Sequence, residues 1–203
     1  MGITERKERE KQEMKDLILQ AAMDLFIEDG YDKASIRKIA DRIEYSPATI
    51  YLYFKDKDEI FHAVHEKGFE MFFRKMEAIS GIEDPFERLS KLGEIYLNFA
   101  FENPQLYDLM FIMRGPMDAM QDDHHWHCGT KAHEGLKDIV RACIGKGKMN
   151  MTDVDVASMA IWSFVHGIAS LKIRNRFRMC RPEDLELMIP AAMDSMLSLF
   201  RKA

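Results

Sequence analysis

Three groups of residues in this 203-residue sequence have types and spacings that could do chemistry. The densest is His124-His125-Trp126-His127-Cys128. On a helix, His124, His127 and Cys128 stand at i, i+3 and i+4 on one face, the corner of a soft-metal or haem site. A structural zinc site needs a fourth ligand, and no neighbouring residue stands at a spacing that supplies one. A polar helix start with solvated histidines is the simpler reading, so the three residues are kept only as metal candidates and no cofactor is assigned. His62, His65 and Glu66 form a second helical trio, for which histidines in solvent are again the simpler reading. Tyr96 and His166 are the third group, two hydrogen-bonding side chains in apolar surroundings. No nucleophile elbow, phosphate-binding loop or dinucleotide fingerprint occurs, so no catalytic centre and no enzyme activity are expected.

Charge narrows the partners. Lys and Arg number 29 against 34 Asp and Glu, a net charge of −5 that argues against a general polyanion binder. Residues 1–57 carry 11 Lys and Arg against 12 Asp and Glu. Within 33–57, however, Lys33, Arg37, Lys38, Arg42, Lys55 and Lys57 outnumber Asp41, Glu44 and Asp56. Binding to nucleic acid must then be local, through a few phosphate contacts. Hydrophobic residues make up 47% of the chain, enough to fill a core, and no apolar run near 18 residues suggests a membrane partner. Cys128, Cys143 and Cys180 have no CxxC spacing and fit reduced thiols. The charged stretch from Met1 to Lys15 has no secretory signal, so a cytoplasmic location is expected.

The elements that must position these residues read as helices throughout. Apolar residues recur at helical spacing and no alternating β-branched run marks a strand, so the fold class is all-α. Met14, Leu17, Ile18, Ala21, Ala22, Leu25 and Phe26 stripe a first helix, which Gly30 should end in a left-handed conformation. Ser35 caps a second helix with Ile36, Ile39, Ala40 and Ile43 on one face. Ser46 and Pro47 open a third, running to Phe54. Asp56 with Glu59 starts a long fourth helix, and Asp84-Pro85 and Asn103-Pro104 start a fifth and a short sixth. A loosely defined seventh runs from about Asp122 to Gly145. Thr152 with Asp155 caps an eighth, to about Arg176, and Pro182 to Lys202 is the last. No linker interrupts the pattern. The fourth helix, from about residue 57, therefore joins an N-terminal domain (1–57) to a C-terminal one (58–203).

Two short helices joined by Glu44-Tyr45-Ser46 meet the needs of a helix-turn-helix. Ile50 and Phe54, four apart, share the face that packs on Ile39, Ala40 and Ile43. Ala48, Tyr51 and Leu52 then lie opposite, available to base edges, and Thr49 and Tyr53 form a flank whose hydroxyls can reach phosphates. The other reading of such an aromatic-rich patch is burial in a core.

The run Ile36-Arg37-Lys38-Ile39-Ala40, followed by residues 46–60 from Ser46-Pro47-Ala48-Thr49-Ile50-Tyr51-Leu52-Tyr53-Phe54 to Ile60, closely resembles the N-terminal signature of the TetR/AcrR family of repressors. Upstream, Ala21-Ala22, Leu25-Phe26 and Gly30-Tyr31 match it too. The resemblance implies an N-terminal three-helix DNA-binding domain and a helical ligand-binding and dimerisation domain. It also implies that Ser35 and Lys57 touch phosphates from helix N-termini and that Tyr53 makes another phosphate contact. Pro47, Ala48, Thr49, Tyr51 and Leu52 match positions that meet bases or sugars. Tyr45 departs from the small aliphatic residue usual in the turn. Arg6-Lys7-Glu8-Arg9-Glu10-Lys11 has the composition of the minor-groove arm that some members carry, although its mixed-sign pairs fit a solvated helix extension better.

Tyr96-x-x-Phe99-Ala100-x-Glu102-Asn103-Pro104, with Tyr107 and Leu109-Met110-Phe111, and Trp162-x-x-Val165-His166-Gly167 resemble the WHG-type C-terminal subgroup of that family. Trp162 stands three residues apart from the His166-Gly167 pair. Independently, the last two helices are apolar nearly all round. This favours two such helices from each of two subunits in an isologous four-helix interface, with Leu197 inside it. Sixteen methionines, among them Met110, Met113, Met117 and Met120, suit an adaptable apolar pocket, though any one of them reads more simply as core filling. Tyr96, Phe99, Met110, Phe111, Met113, Trp126, Trp162 and His166 are expected around an effector cavity.

The combined expectation is a homodimeric repressor on a palindromic double-stranded DNA operator, its half-sites about 34–36 Å apart or a multiple of that. A small, mostly apolar effector releases it. Two alternatives stay open: a metal- or haem-responsive sensor using residues 124–128, and a helical ligand carrier that does not bind DNA, which the net acidity of residues 1–57 motivates.

Overall fold

The computed structural model describes residues 2–113, 115 and 127–202. Among these the chain forms α1 (Ile3–Asp29), α2 (Ile36–Arg42), α3 (Pro47–Tyr51), α4 (Lys57–Met76), α5 (Pro85–Glu102), α6 (Pro104–Phe111), α7 (His127–Gly145), α8 (Val154–Ile173) and α9 (Pro182–Phe200). A 3-10 turn, Glu77–Ile79, continues α4, and the described residues hold one isolated antiparallel bridge, Met149 to Arg201.

Helix starts follow local chemistry. The Ser35 hydroxyl accepts from the Lys38 amide and Ser46 from Thr49, while the Asp84 carboxylate accepts from Phe86 and Glu87. Each satisfies an amide that has no partner inside the helix. Asp56 accepts from the Glu59 amide at 2.9 Å and so opens α4.

Several boundaries differ from the sequence expectation. Asp153, not Thr152, caps α8, its carboxylate accepting from both Asp155 and Val156. Helix α3 ends at Tyr51 rather than Phe54, because the Tyr53 and Phe54 amides both turn back to the Ile50 carbonyl. Gly30 ends α1 at φ +80°, but with ψ 161° instead of a left-handed helical value. The polar start of α1 is helical, with Arg6 paired to Glu10 at 2.7 Å and Arg9 to Glu13 at 3.5 Å. The expected start of α7 near Asp122 lies outside the described residues.

The turn after α2 is closed by a backbone motif. The Tyr45 amide reaches back to the Ala40 carbonyl and the Glu44 amide to Asp41, a Schellman closure. It requires a positive φ at Glu44, which has φ 60° without being glycine.

The described chain forms two compact units, with α4 passing from one to the other. The first comprises residues 2–69 and 105–113 with Gly115. Its core joins Ile18, Ala22 and Phe26 of α1 to Ile39, Ala40, Ile50, Ile60, Phe61 and Leu109, so α6 helps fill the core under the helix-turn-helix. Packing there is close: a Cβ on Gly68 would stand 2.8 Å from the Met110 sulfur, and one on Gly115 would stand 2.5 Å from the Phe61 ring. His65, of the second trio, is a buried histidine whose Nε2–H donates to the Met110 carbonyl at 3.0 Å. Burial holds its imidazole below the ordinary histidine range, and nearby His62 adds to this.

In the second unit α5 is the hub, packing on α7, α8 and α9. Leu89, Leu92, Tyr96 and Phe99 face inward, with Ala157, Ile161, Val165 and Ile168 of α8 and Ile189, Met193, Met196 and Leu197 of α9. Leu197 is 3% exposed, so it belongs to the protomer core and not to an outer interface face. Met159, Val156 and Leu171 of α8, and Met188, Leu187 and Leu199 of α9, stay exposed. Helix α8 is long and apolar enough by composition to cross a membrane, which the sequence reading did not anticipate. Its inward side nonetheless packs on α5 and α7, as a core helix does.

Two stability outcomes follow. Glu44→Gly removes the penalty of a side chain at positive φ and is expected to stabilise by about 0.5–1 kcal/mol in urea titrations. Because the folded pKa of His65 is lowered, its contribution is complete above the unfolded value of about 6.5 and declines as pH falls below it. His65→Gln keeps an N–H donor and should show a smaller loss of melting temperature between about pH 7.5 and 5.5 than the native protein.

Candidate nucleic-acid interface and effector site

Helix α3 is placed by its buried side. Ile50 is fully buried and Phe54 nearly so, in the same core as Ile39 and Ala40. The other side faces out, with Tyr51 57% and Leu52 78% exposed and Pro47 and Ala48 exposed beside them. Thr49 is half-buried, its Oγ1 3.0 Å from the Ser46 hydroxyl. Tyr53 is half-buried against the core.

The basic residues divide. Lys38 pairs with Asp29 at 2.7 Å and Arg42 with Glu28 at 2.7 Å, so the end of α1 neutralises two cations of α2. Lys33 and Arg37 make no ion pair among the described residues, and Lys55 lies 3.9 Å from Asp56. Arg37 is therefore an exposed, uncommitted cation of the motif. The sequence reading counted it but did not single it out, since nothing in the spacing shows which cations α1 engages.

Lys57 is tied inward. Its Nζ donates to the Tyr31 carbonyl at 2.9 Å and the Ala34 carbonyl at 3.3 Å, and lies 3.9 Å from the Tyr31 ring centre. Tyr31 in turn donates its hydroxyl to Asp58, and burial together with that carboxylate pushes the phenol far up. The start of α4 thus fastens the 31–34 turn leading into α2, whose cap, Ser35, is half-buried.

Of the expected effector residues, the second unit brings together Tyr96, Phe99, Trp162 and His166. The Tyr96 hydroxyl lies 2.9 Å from His166 Nδ1. The Trp162 ring is 5.6 Å from that of His166 and 5.7 Å from that of His133, while Phe72 lies 5.9 Å from Tyr96 and 5.3 Å from Phe99. His133 and Phe72 were not singled out in the sequence, because their contacts cross between helices. Burial, then the charge of Arg174, lowers the pKa of His166.

Met110, Phe111 and Met113 lie in the first unit, where Phe111 is 5.6 Å from Phe69. Trp126 and His124 lie outside the described residues. His127 is exposed and Cys128 half-buried at the start of α7. Among the described residues no group of three His, Cys, Asp or Glu could hold a metal ion.

A short helix presenting aromatic and polar groups outward, held by its predecessor through a tight turn in an all-α chain, defines a helix-turn-helix DNA-binding regulator. Residues 18–64 match the family "Bacterial regulatory proteins, tetR family", and residues 89–196 match a "Tetracyclin repressor-like, C-terminal domain". The chain belongs to the TetR family, whose members are transcriptional regulators and not enzymes.

The HTH-type transcriptional regulator HbdR of Aromatoleum sp. (strain CIB) is 34% identical over 159 residues, 78% of this chain and 69% of that protein. The fatty acid metabolism regulator protein of Bacillus subtilis (strain 168) is 35% identical over 60 residues, 30% of this chain, so that the match spans only 31% of that relative. The structure of the transcriptional regulator FadR from Bacillus subtilis in complex with stearoyl-CoA has a TM-score of 0.69 at 21% identity, covering 90% of this chain and 95% of its own.

Lys57 and Arg37 should separate on mutation. Lys57→Ala is expected to cost about 1–2 kcal/mol of stability, through the lost charged hydrogen bonds and ring contact, and to lower the melting temperature. Arg37→Ala should leave melting unchanged while reducing the salt slope of DNA binding by about one unit, read by fluorescence anisotropy.

Proposed function

We propose that this regulator is a homodimeric, cytoplasmic repressor that reads a palindromic operator and is released by a small, mostly apolar effector. The observation that carries the reading is the outward face of α3. Tyr51 and Leu52 are exposed over a fully buried Ile50, an arrangement that costs apolar hydration unless a partner covers it. In this reading Ala48, Tyr51 and Leu52 meet base edges in the major groove, and Pro47 and Thr49 meet bases or sugars. Tyr53 and Ser35 meet phosphates with Arg37, and Lys57 holds the phosphate-contacting turn in place. Residues 1–57 bind DNA, and 58–203 carry the effector and the dimer contact.

The dimer forms through α8 and α9. Their outer faces combine Met159 and Met188 with small exposed residues, Ala160 and Ser163 on one and Ala191, Ala192 and Ser195 on the other. Small residues let two helices approach closely, and this apolar surface is what a four-helix interface between copies would bury. The effector is held near Trp162, its polar end oriented by the Tyr96–His166 pair. The fatty acid regulators among its relatives support an apolar ligand.

A gel shift against the promoter beside its own gene tests the whole reading, and absence of any shift with that or selected DNA would sink it. Met159→Glu with Met188→Glu should give folded monomers in sedimentation that no longer hold the operator, since burying unpaired carboxylates costs several kcal/mol. Leu197→Glu should unfold the protomer instead.

A further inference from the structure

The end of α8 and the turn that follows it carry the densest net positive charge in the chain. From Lys172 to Arg181 there are five cations, Lys172, Arg174, Arg176, Arg178 and Arg181, and no acidic residue, in a protein of net charge −5. A helix C-terminus favours cations, which accounts for Lys172 and Arg174 in the last turn and cap. Arg181 is engaged by Asp184 at 2.8 Å and Glu183 at 3.7 Å. Neither account covers Arg176 and Arg178. Both lie past the helix, are exposed, and make no ion pair among the described residues.

The turn is built rather than loose. Asn175 adopts φ 54°, the Arg176 amide bonds the Leu171 carbonyl at 2.8 Å, and the Cys180 amide bonds Phe177 at 3.0 Å. Met179 stands 81% exposed among the arginines. Arg174, at the start of the turn, is near enough to His166 for its charge to act on that imidazole. Arg174 Nη1 donates to the Ser170 hydroxyl at 3.2 Å, and Ser170 is one helical turn from His166. The Lys172 ammonium lies 3.8 Å from the Phe101 ring, near the end of α5.

We propose that residues 174–178 bind the phosphate-bearing head of the effector, an amphiphile whose apolar tail lies in the C-terminal unit. The inference rests on the apolar-effector reading above and names the chemistry of the effector's other end. A lone carboxylate supplies one charge, which the Tyr96–His166 pair already suits by hydrogen bonding. Two exposed guanidiniums beside a third match a multiply charged phosphate, which they grip through paired N–H groups. The other source of phosphate is the DNA backbone, and the test separates the two.

Titration calorimetry on the full-length protein would compare stearoyl-CoA, stearate and coenzyme A without its acyl chain. Stearoyl-CoA is expected to bind at least tenfold tighter than stearate, about 1.4 kcal/mol, with the difference shrinking in high salt. Arg176→Gln with Arg178→Gln should erase that difference and leave stearate binding unchanged. Arg178→Lys, which keeps the charge and loses the fork, should lose part of it and guards against misfolding of the double variant. If stearate and stearoyl-CoA bind native protein equally, or the double variant binds both as the native protein does, the phosphate site is wrong while the apolar effector stands. Coenzyme A alone binding as tightly as stearoyl-CoA removes the tail from the proposal and overturns it. If neither acyl probe binds, the effector reading itself fails. A double variant that loses DNA affinity with ligand binding intact assigns the turn to the DNA backbone instead and overturns the inference.

Discussion

Everything at the DNA-reading end depends on the burial of one isoleucine. A five-residue helix has no stability of its own in water, since the cost of nucleation is never recovered over so few hydrogen bonds. Helix α3 persists because Ile50 is fully buried and Phe54 nearly so, against a core that α1, α2 and α4 share. Once that side is fixed, helical geometry leaves Tyr51 and Leu52 outward. The Schellman closure at Glu44 then sets how α3 leaves α2, and Lys57 ties the preceding turn to the start of α4. None of these positions would hold its place if the anchor were polar.

The second unit is organised differently. It has a hub, α5, rather than an anchor, and the residues of interest sit where helices meet the hub. Tyr96 on α5 and His166 on α8 complete each other's hydrogen bonding within an otherwise apolar packing, which keeps two polar groups inside at small cost. Chain connectivity matters as well. Helix α4 runs through both units, and the chain returns at residue 105 to help fill the core of the first.

Much of this was legible in the sequence, and the reasons differ by element. The caps at Ser35, Ser46 and Asp84 announce themselves because a short polar side chain before an apolar stripe has one local use. The buried and exposed sides of α3 follow from Ile50 and Phe54 alone. Long-range pairings were not legible: that α1 engages Lys38 and Arg42, or that Lys57 turns inward to Tyr31, depends on distances no spacing encodes. Leu197 shows the same limit. In a helix apolar on all sides, periodicity cannot tell the side that packs within the protomer from the side left outward, and α9 turns Leu197 in and Met188 out. Nor does sequence position say which core a returning segment joins, and residues 105–113 join that of the first unit.

The neutralisation of Lys38 and Arg42 by Asp29 and Glu28 has a consequence for how such a protein finds its target. Attraction to arbitrary duplex comes almost wholly from charge, and here α1 cancels part of it before DNA arrives. Non-specific duplex would then compete less for this chain than for one whose cations were all unpaired. In the proposed DNA complex, discrimination between sequences would then rest more on short-range fit, such as apolar side chains against thymine methyls, than on charge.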